Sequence, residues 1–126
     1  MRSFVPPNTT DFLDWLEAHP RNAVIGFQES EENCPLAYYL DDMYAEDTPH
    51  VIVRGRAIAM TLPDKVEAVI FPINNILRAF VDAVDFKAIP GAAIHAGPAA
   101  DVLNEIIATG GRSCTAELNE KLAMRR

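Results

Sequence analysis

The sequence predicts an α+β fold in which about five helices pack with one small mixed three-stranded sheet. Several segments repeat apolar residues at the helical spacing, and short β-branched runs lie among them in the order α-β-α-β-β-α-α-α. The 126 residues are 49% apolar and 23% charged, as is usual for one self-folding domain. We therefore expect a single domain over residues 1–126, with about eight N-terminal and about four C-terminal residues frayed.

The first helix is predicted to be capped by the hydroxyl of Thr9 or Thr10 and to end before Pro20. Its apolar residues lie on one helical face, namely Phe12, Trp15, Leu16 and His19. His19 then lies at the helix C-terminus, where a capping role is favoured over metal binding. The almost unbroken apolar run over residues 23–27 predicts a central strand that is covered on both faces.

A second helix is predicted to start at Cys34 and Pro35, because proline is well tolerated at the first helical position. Its apolar stripe comprises Leu36, Tyr39, Leu40, Met43 and Tyr44. The opposite side carries an aromatic residue and two acids: Tyr38, Asp41 and Asp42.

Residues 50–60 and 66–71 are β-rich runs, and the segment between them contains Pro63 and Asp64 at positions that suit a type I turn. They predict a hairpin. A right-handed crossover through the second helix would place residues 23–27 parallel to residues 50–60 in the same sheet.

Three further helices are predicted in the last third of the chain. The first has an apolar stripe formed by Leu77, Phe80, Val81 and Val84. An irregular, glycine-rich and proline-rich connection over residues 87–98 follows. A helix over residues 98–109 is then closed by two glycines, and a last one runs over residues 113–126.

The net charge of −7 is concentrated in one part of the chain. Residues 22–53 contain seven acids and no lysine or arginine, whereas the remaining residues contain eleven acids and eleven lysines and arginines. A negative electrostatic field from these acids favours basic partners and repels phosphate backbones, so direct binding of nucleic acid is not expected.

The leading functional hypothesis is a non-catalytic interaction module: a small cytoplasmic regulator, inhibitor or immunity-type factor that docks a basic surface of another protein. The predicted partner-binding residues are Glu29, Glu31, Glu32, Tyr38, Asp41, Asp42, Glu46 and Asp47. An acidic face that serves only solubility is the competing interpretation. Self-association is left open, through apolar surface such as Ile106 or Ile107.

The alternative function is a small thiol-dependent enzyme or redox sensor that uses Cys34, with His50 as a base. A thiol at a helix N-terminus ionises more readily, but the neighbouring glutamates oppose a thiolate. No zinc spacing, EF-hand loop, phosphate-binding glycine motif or GxSxG occurs, so we expect neither a metal nor a cofactor.

The segment from Cys34 to Leu40, CPLAYYL, resembles a Cys-Pro-Leu-Ala-x-x-Leu segment of uncharacterised short bacterial proteins. The resemblance extends to the stretches NAVIGF and INNILRAFVDAVD, and it implies no activity, cofactor or site. The N-terminal stretch lacks the long apolar core of a secretory signal, and no apolar run reaches the length of a membrane span. With only two cysteines, we expect a cytoplasmic protein without a disulfide.

Overall fold

The computed structural model describes residues 4–28, 30–54, 57–84 and 92–109, and within them the predicted α+β class is confirmed. No helix in these ranges is long and apolar enough to cross a membrane. In chain order the elements are α1 (Thr9–Glu17), β1 (Val24–Phe27), α2 (Pro35–Met43), a 3-10 helix (Ala45–Asp47), β2 (His50–Arg54), β3 (Ala57–Thr61), β4 (Val69–Pro72), α3 (Asn75–Val84), β5 (Ala93–His95) and α4 (Ala96–Ala108).

The strands form two antiparallel sheets, so the prediction of one mixed sheet was wrong. Residues 50–60 divide into β2 and β3, which pair from His50 opposite Thr61 to Arg54 opposite Ala57. β4 adds to the other edge of β3. A hydrogen bond of 3.1 Å from the Lys65 amide to the Leu62 carbonyl closes the turn that the sequence predicted before β4.

Among the described strands β1 pairs only with β5, in a two-stranded sheet, so the prediction of a central strand was wrong. Its partner lies in a segment that the sequence predicted to be irregular, about 70 residues further along the chain. α2 contacts both β1 and β2, and it therefore lies between the two sheets rather than crossing over one of them. A pairing over such a sequence distance depends on the packed helices and not on the local pattern.

The N-terminus of α2 packs directly on β1. Pro35 is the first helical residue and Cys34 occupies the N-cap position, as predicted. A Cβ atom at Gly26 would lie only 2.6 Å from the Pro35 nitrogen, so this position requires glycine. The Phe27 amide also donates a hydrogen bond of 2.7 Å to the Asn33 carbonyl. Gly26 belongs to the stretch NAVIGF and Pro35 to the segment CPLAYYL, so two of the segments that resemble short bacterial proteins are in contact here.

The capping residue of α1 and the first residue of α4 differ from the predictions. Asn8, not a threonine, caps α1, because its side-chain oxygen accepts a hydrogen bond of 2.8 Å from the Asp11 amide. α4 begins at Ala96 rather than at residue 98, and its first two amides donate to backbone carbonyls of the α1–β1 connection at 2.9 Å. The predicted last helix and the glycines at 110 and 111 lie outside the described residues.

The core lies where α1, α2, α3 and α4 meet. Phe12 packs edge-to-face against Tyr39 and Phe80, at centroid distances of 5.3 and 5.2 Å. The predicted stripe of α2 is buried except for the half-buried Met43. Among the described polar residues only Gln28 is buried, and its side-chain amide donates to the Val84 carbonyl at 2.6 Å.

Candidate functional site

The predicted acidic residues lie on three connected segments, and we call their described members the acidic surface. Glu31 and Glu32 lie in the loop before α2, Asp41 and Asp42 in its last turn, and Glu46 and Asp47 in the 3-10 helix. All of these residues are exposed except Asp47, which is half-buried. Glu29 lies outside the described residues. The fold therefore presents most of the predicted acids to solvent.

Two basic side chains from β2 lie beside the first part of the acidic surface. The Arg54 guanidinium approaches the Glu31 carboxylate at 2.7 Å, and this hydrogen bond raises the pKa of Arg54. The His50 Nε2 lies 3.6 Å from a Glu32 carboxylate oxygen. Both pairs are more than half exposed, so each contributes little to stability. The Arg54–Glu31 pair does, however, offset one negative charge on the loop, where the sequence alone shows no nearby basic residue.

The acids in the last turn of α2 have different neighbours. The Asp42 carboxylate accepts a hydrogen bond of 2.8 Å from the Trp15 indole, which joins α2 to α1. Partial desolvation raises the pKa of Asp41, although the residue remains exposed, and the neighbouring His50 opposes this shift. Within the described part of the chain, no salt bridge engages Asp41, Asp42 or Glu46. Three exposed acids without a salt bridge in the described residues therefore lie in or just after the last turn of α2.

Tyr38 is the aromatic residue beside these acids. Its side chain is half-buried, and its ring meets the Phe27 ring edge-to-face at a centroid distance of 6.3 Å. Phe27 belongs to β1, so the sheet holds the tyrosine ring in place. A held aromatic ring that is still partly exposed suits a binding surface, because little side-chain entropy remains to be lost.

Cys34 and His50, the two residues of the thiol alternative, lie in different environments. Cys34 is only 4% exposed, and its backbone carbonyl begins α2 by accepting a hydrogen bond from the Tyr38 amide. The His50 side chain is 57% exposed and lies beside Glu32. A residue buried to this degree is not accessible to a substrate in this conformation. In the described ranges, no group of three or more potential metal ligands occurs.

A second polar cluster, which sequence reasoning missed, joins the α1–β1 connection to α4. Arg21 donates two hydrogen bonds to Asp101, at 2.7 and 3.3 Å, and its side chain lies against Gly97. The ring nitrogen Nδ1 of His19 lies 2.7 Å from the Trp15 carbonyl, so the histidine caps α1 as predicted. The residues of the Arg21 pair are 80 positions apart, and no local signal could have joined them.

The fold and the site define a small α+β protein of two antiparallel sheets with an exposed acidic surface at the end of α2. No family model, no curated protein and no solved structure matches the chain. The resemblance of the segment from Cys34 to Leu40 to short bacterial proteins therefore stays a prediction.

Proposed function

We propose that this protein is a non-catalytic interaction module, a small cytoplasmic regulator, inhibitor or immunity-type factor that docks a basic surface of another protein. The docking surface is the acidic surface together with Tyr38, within residues 29–47. One observation carries the proposal: exposed carboxylates follow Tyr38 by three and four residues on α2, and the Tyr38 ring packs against Phe27 of the neighbouring sheet.

The position of these carboxylates argues against a role in helix stability. Asp41 and Asp42 lie in the last turn of α2, which contains no basic residue. A helix C-terminus carries a partial negative charge, so an acid there is unfavourable by about 0.3 to 1 kcal/mol. Acids that served only solubility would destabilise the helix less in its N-terminal turn, and α2 has no acid there. The location of Asp41 and Asp42 therefore favours a role in binding a positively charged group of another molecule.

The electrostatics of the acidic surface predict how a partner would bind. Glu31 is offset by Arg54, so the attraction concentrates on Asp41, Asp42 and Glu46. Exposed charges of this kind accelerate encounter and select the partner, and salt screens them over about 10 Å at 0.1 M. Contact with the Tyr38 ring would supply affinity that salt does not remove. The proposed partner therefore has basic residues around an apolar or cationic centre.

The proposal is tested with two baits of equal net charge in a lysate of the native host. The first carries Asp41→Lys and Glu46→Lys, which leave the hydrogen bond between Trp15 and Asp42 in place. The matched control carries Glu17→Lys and Asp64→Lys, two exposed acids elsewhere on the protein. Far-UV circular dichroism and urea unfolding verify that both variants fold.

The expected result is a protein retained by the wild type and the control but lost from the first variant. With that partner purified, the first variant should bind at least about tenfold more weakly, mainly through slower association, and the control within about twofold. Equal affinity of both variants would contradict the proposal. So would the absence of any protein retained at low salt.

Nothing in the described geometry favours the thiol alternative over this proposal, because Cys34 is buried and His50 lies beside a glutamate at the surface.

A further inference from the structure

Trp15 lies at the junction of α1 and α2, beside the acidic surface. The sequence predicted it on the buried face of α1 with Phe12 and Leu16, and those two residues are buried, but Trp15 is only half-buried. Its indole donates the hydrogen bond of 2.8 Å to Asp42. Tryptophan is among the residue types most enriched in the hot spots of binding surfaces. The exposed part of this ring is therefore a candidate for contact with a partner.

Three neighbouring rings fix the position of the indole. The Tyr39 and His19 rings meet it edge-to-face at centroid distances of 5.5 and 4.6 Å. The Phe12 ring lies nearly parallel to it at 6.0 Å, and the hydrogen bond to Asp42 fixes its orientation. Trp15 would therefore lose little side-chain entropy when a partner covers its exposed part.

α1 adds acids to this junction that lie outside the acidic surface defined above. Its three acids, Asp11, Asp14 and Glu17, are exposed, and the helix contains no lysine or arginine. Within the described residues, no salt bridge engages any of the three. Asp11 precedes Trp15 by four residues and so lies on the same side of α1. The negative field thus continues from α2 onto α1, and it favours a cationic group at Trp15.

The chemistry of the junction distinguishes between the two basic side chains. Asp42 contacts the Trp15 indole and follows Tyr38 by four residues, so one carboxylate lies between two aromatic residues. A planar guanidinium can stack on an aromatic ring while it donates hydrogen bonds to a carboxylate. A lysine ammonium is a compact, strongly hydrated point charge and must lose more hydration at such a site. The combination of rings and carboxylate therefore favours arginine.

We propose that Trp15 is a second aromatic contact of the docking surface and that Trp15, Asp42 and Tyr38 together select an arginine side chain of the partner over a lysine. The inference rests on the proposed function, and it names the chemistry of the partner at that same surface. The hydrogen bond between Trp15 and Asp42 then serves binding as well as packing, because it places the carboxylate beside the ring.

The test uses two labelled peptides of equal charge, hexaarginine and hexalysine, and measures their affinities for the full chain by fluorescence anisotropy at low salt. Hexaarginine should bind the wild type at least about fivefold more tightly than hexalysine, and in Trp15→Leu this preference should fall below about twofold. The affinity for hexalysine should change by less than about twofold, because no charge is altered. Phe4→Leu is the matched control at a half-buried aromatic residue beside the β3–β4 hairpin, and it should leave the preference unchanged.

Trp15→Leu can weaken the packing of α1 on α2, so its urea unfolding is measured and the wild type supplies a second readout. Trp15 is the single tryptophan of the chain, so its indole N–H gives one identifiable resonance in nuclear magnetic resonance spectra. Hexaarginine should shift this resonance progressively, and hexalysine should shift it less at the same occupancy.

Three results would overturn this inference and leave the proposed function standing: equal affinities of the two peptides for the wild type, a preference that folded Trp15→Leu retains, or an indole resonance that hexaarginine leaves unchanged. If neither peptide binds at low salt, the inference is wrong, and the electrostatic attraction that the proposed function requires is contradicted as well.

Discussion

Replacing Gly26 by alanine tests whether the contact between β1 and the start of α2 holds the fold together. The new Cβ would lie 2.6 Å from the Pro35 nitrogen, 2.8 Å from its Cδ and 2.9 Å from the Cys34 carbonyl carbon. Ordinary carbon contacts are about 3.5 to 4.0 Å, so the overlaps are about 0.6 to 1.4 Å. These atoms belong to the backbone and to a proline ring, and none can swing away.

The magnitude of the effect follows from what must move. Relieving the overlaps requires the start of α2 to shift by roughly 1 Å, and overpacking of this kind costs about 1 to 3 kcal/mol. The shift also strains the hydrogen bond of 2.7 Å between the Phe27 amide and the Asn33 carbonyl, which is worth about 1 kcal/mol. Alanine reduces the entropy of the unfolded chain, which returns about 0.4 to 1 kcal/mol. We expect Gly26→Ala to lower the free energy of unfolding by about 2 to 3 kcal/mol.

The assay is urea unfolding followed by circular dichroism and by Trp15 fluorescence. For Gly26→Ala, the slope of the free energy of unfolding against urea concentration should be unchanged, and the urea midpoint should be lower by about 1 to 2 M. Gly97→Ala is the matched control. Its Cβ would also meet atoms at 2.8 to 2.9 Å, but all three belong to the exposed Arg21 side chain: two lie at its guanidinium end, which can swing away, and only the Arg21 Cβ must shift. The exposed pair with Asp101 is worth at most about 1 kcal/mol, and helix propensity favours alanine by about as much.

The free energy of unfolding of Gly97→Ala should therefore lie within about 1 kcal/mol of the wild-type value. The reasoning is refuted if Gly26→Ala costs less than about 0.5 kcal/mol, or if both variants lose the same stability.

Two further predictions concern single side chains. The Tyr39 hydroxyl is buried and has no hydrogen-bond partner within the described residues, so Tyr39→Phe should raise the free energy of unfolding by about 1 kcal/mol. Burial raises the pKa of Tyr39 to about 12, with a smaller contribution from Asp11. Folding therefore favours the protonated phenol. Stability in the wild type should fall from about pH 10 to about pH 12 by about 2 kcal/mol more than in Tyr39→Phe, and parallel pH profiles would contradict this. Asn8→Ala should cost about 1 kcal/mol because it removes the α1 cap, whereas Thr10→Ala should change stability by less than about 0.5 kcal/mol, and equal losses in urea unfolding would show that the cap is elsewhere.

Local chemistry made several elements predictable. Proline at the first helical position places the start of α2, and the apolar spacing identifies its buried stripe, because both signals act within a few residues. The turn at Pro63 and Asp64 is likewise a local backbone preference. The predicted capping residue of α1 was wrong by one position, since Asn8 and Thr9 can both cap a helix. The backbone conformation of the residues that enter the helix determines which of them does so.

Strand pairing was not predictable by the same reasoning. β5 has only three residues and lies in a segment rich in small residues, so its pattern does not differ from that of a loop. Its pairing with β1 depends on α4, whose first amides donate to the carbonyls of Ala23 and Arg21. A parallel crossover is the usual expectation when a helix separates two strands, but here α2 lies between two sheets.

For the candidate site, the sequence by itself determined that negative charge is concentrated in residues 22–53, because charge density is a property of composition and needs no coordinates. Only the tertiary structure decided which carboxylates lie within ion-pair distance of a basic side chain. Folding brings Arg54 to Glu31 and His50 to Glu32, and it leaves Asp41 and Glu46 exposed at the end of α2. The physical reason is that electrostatic interactions depend on distance in space. Folding brings β2 beside the loop before α2, where the Val53 amide donates a hydrogen bond of 2.8 Å to the Glu31 carbonyl.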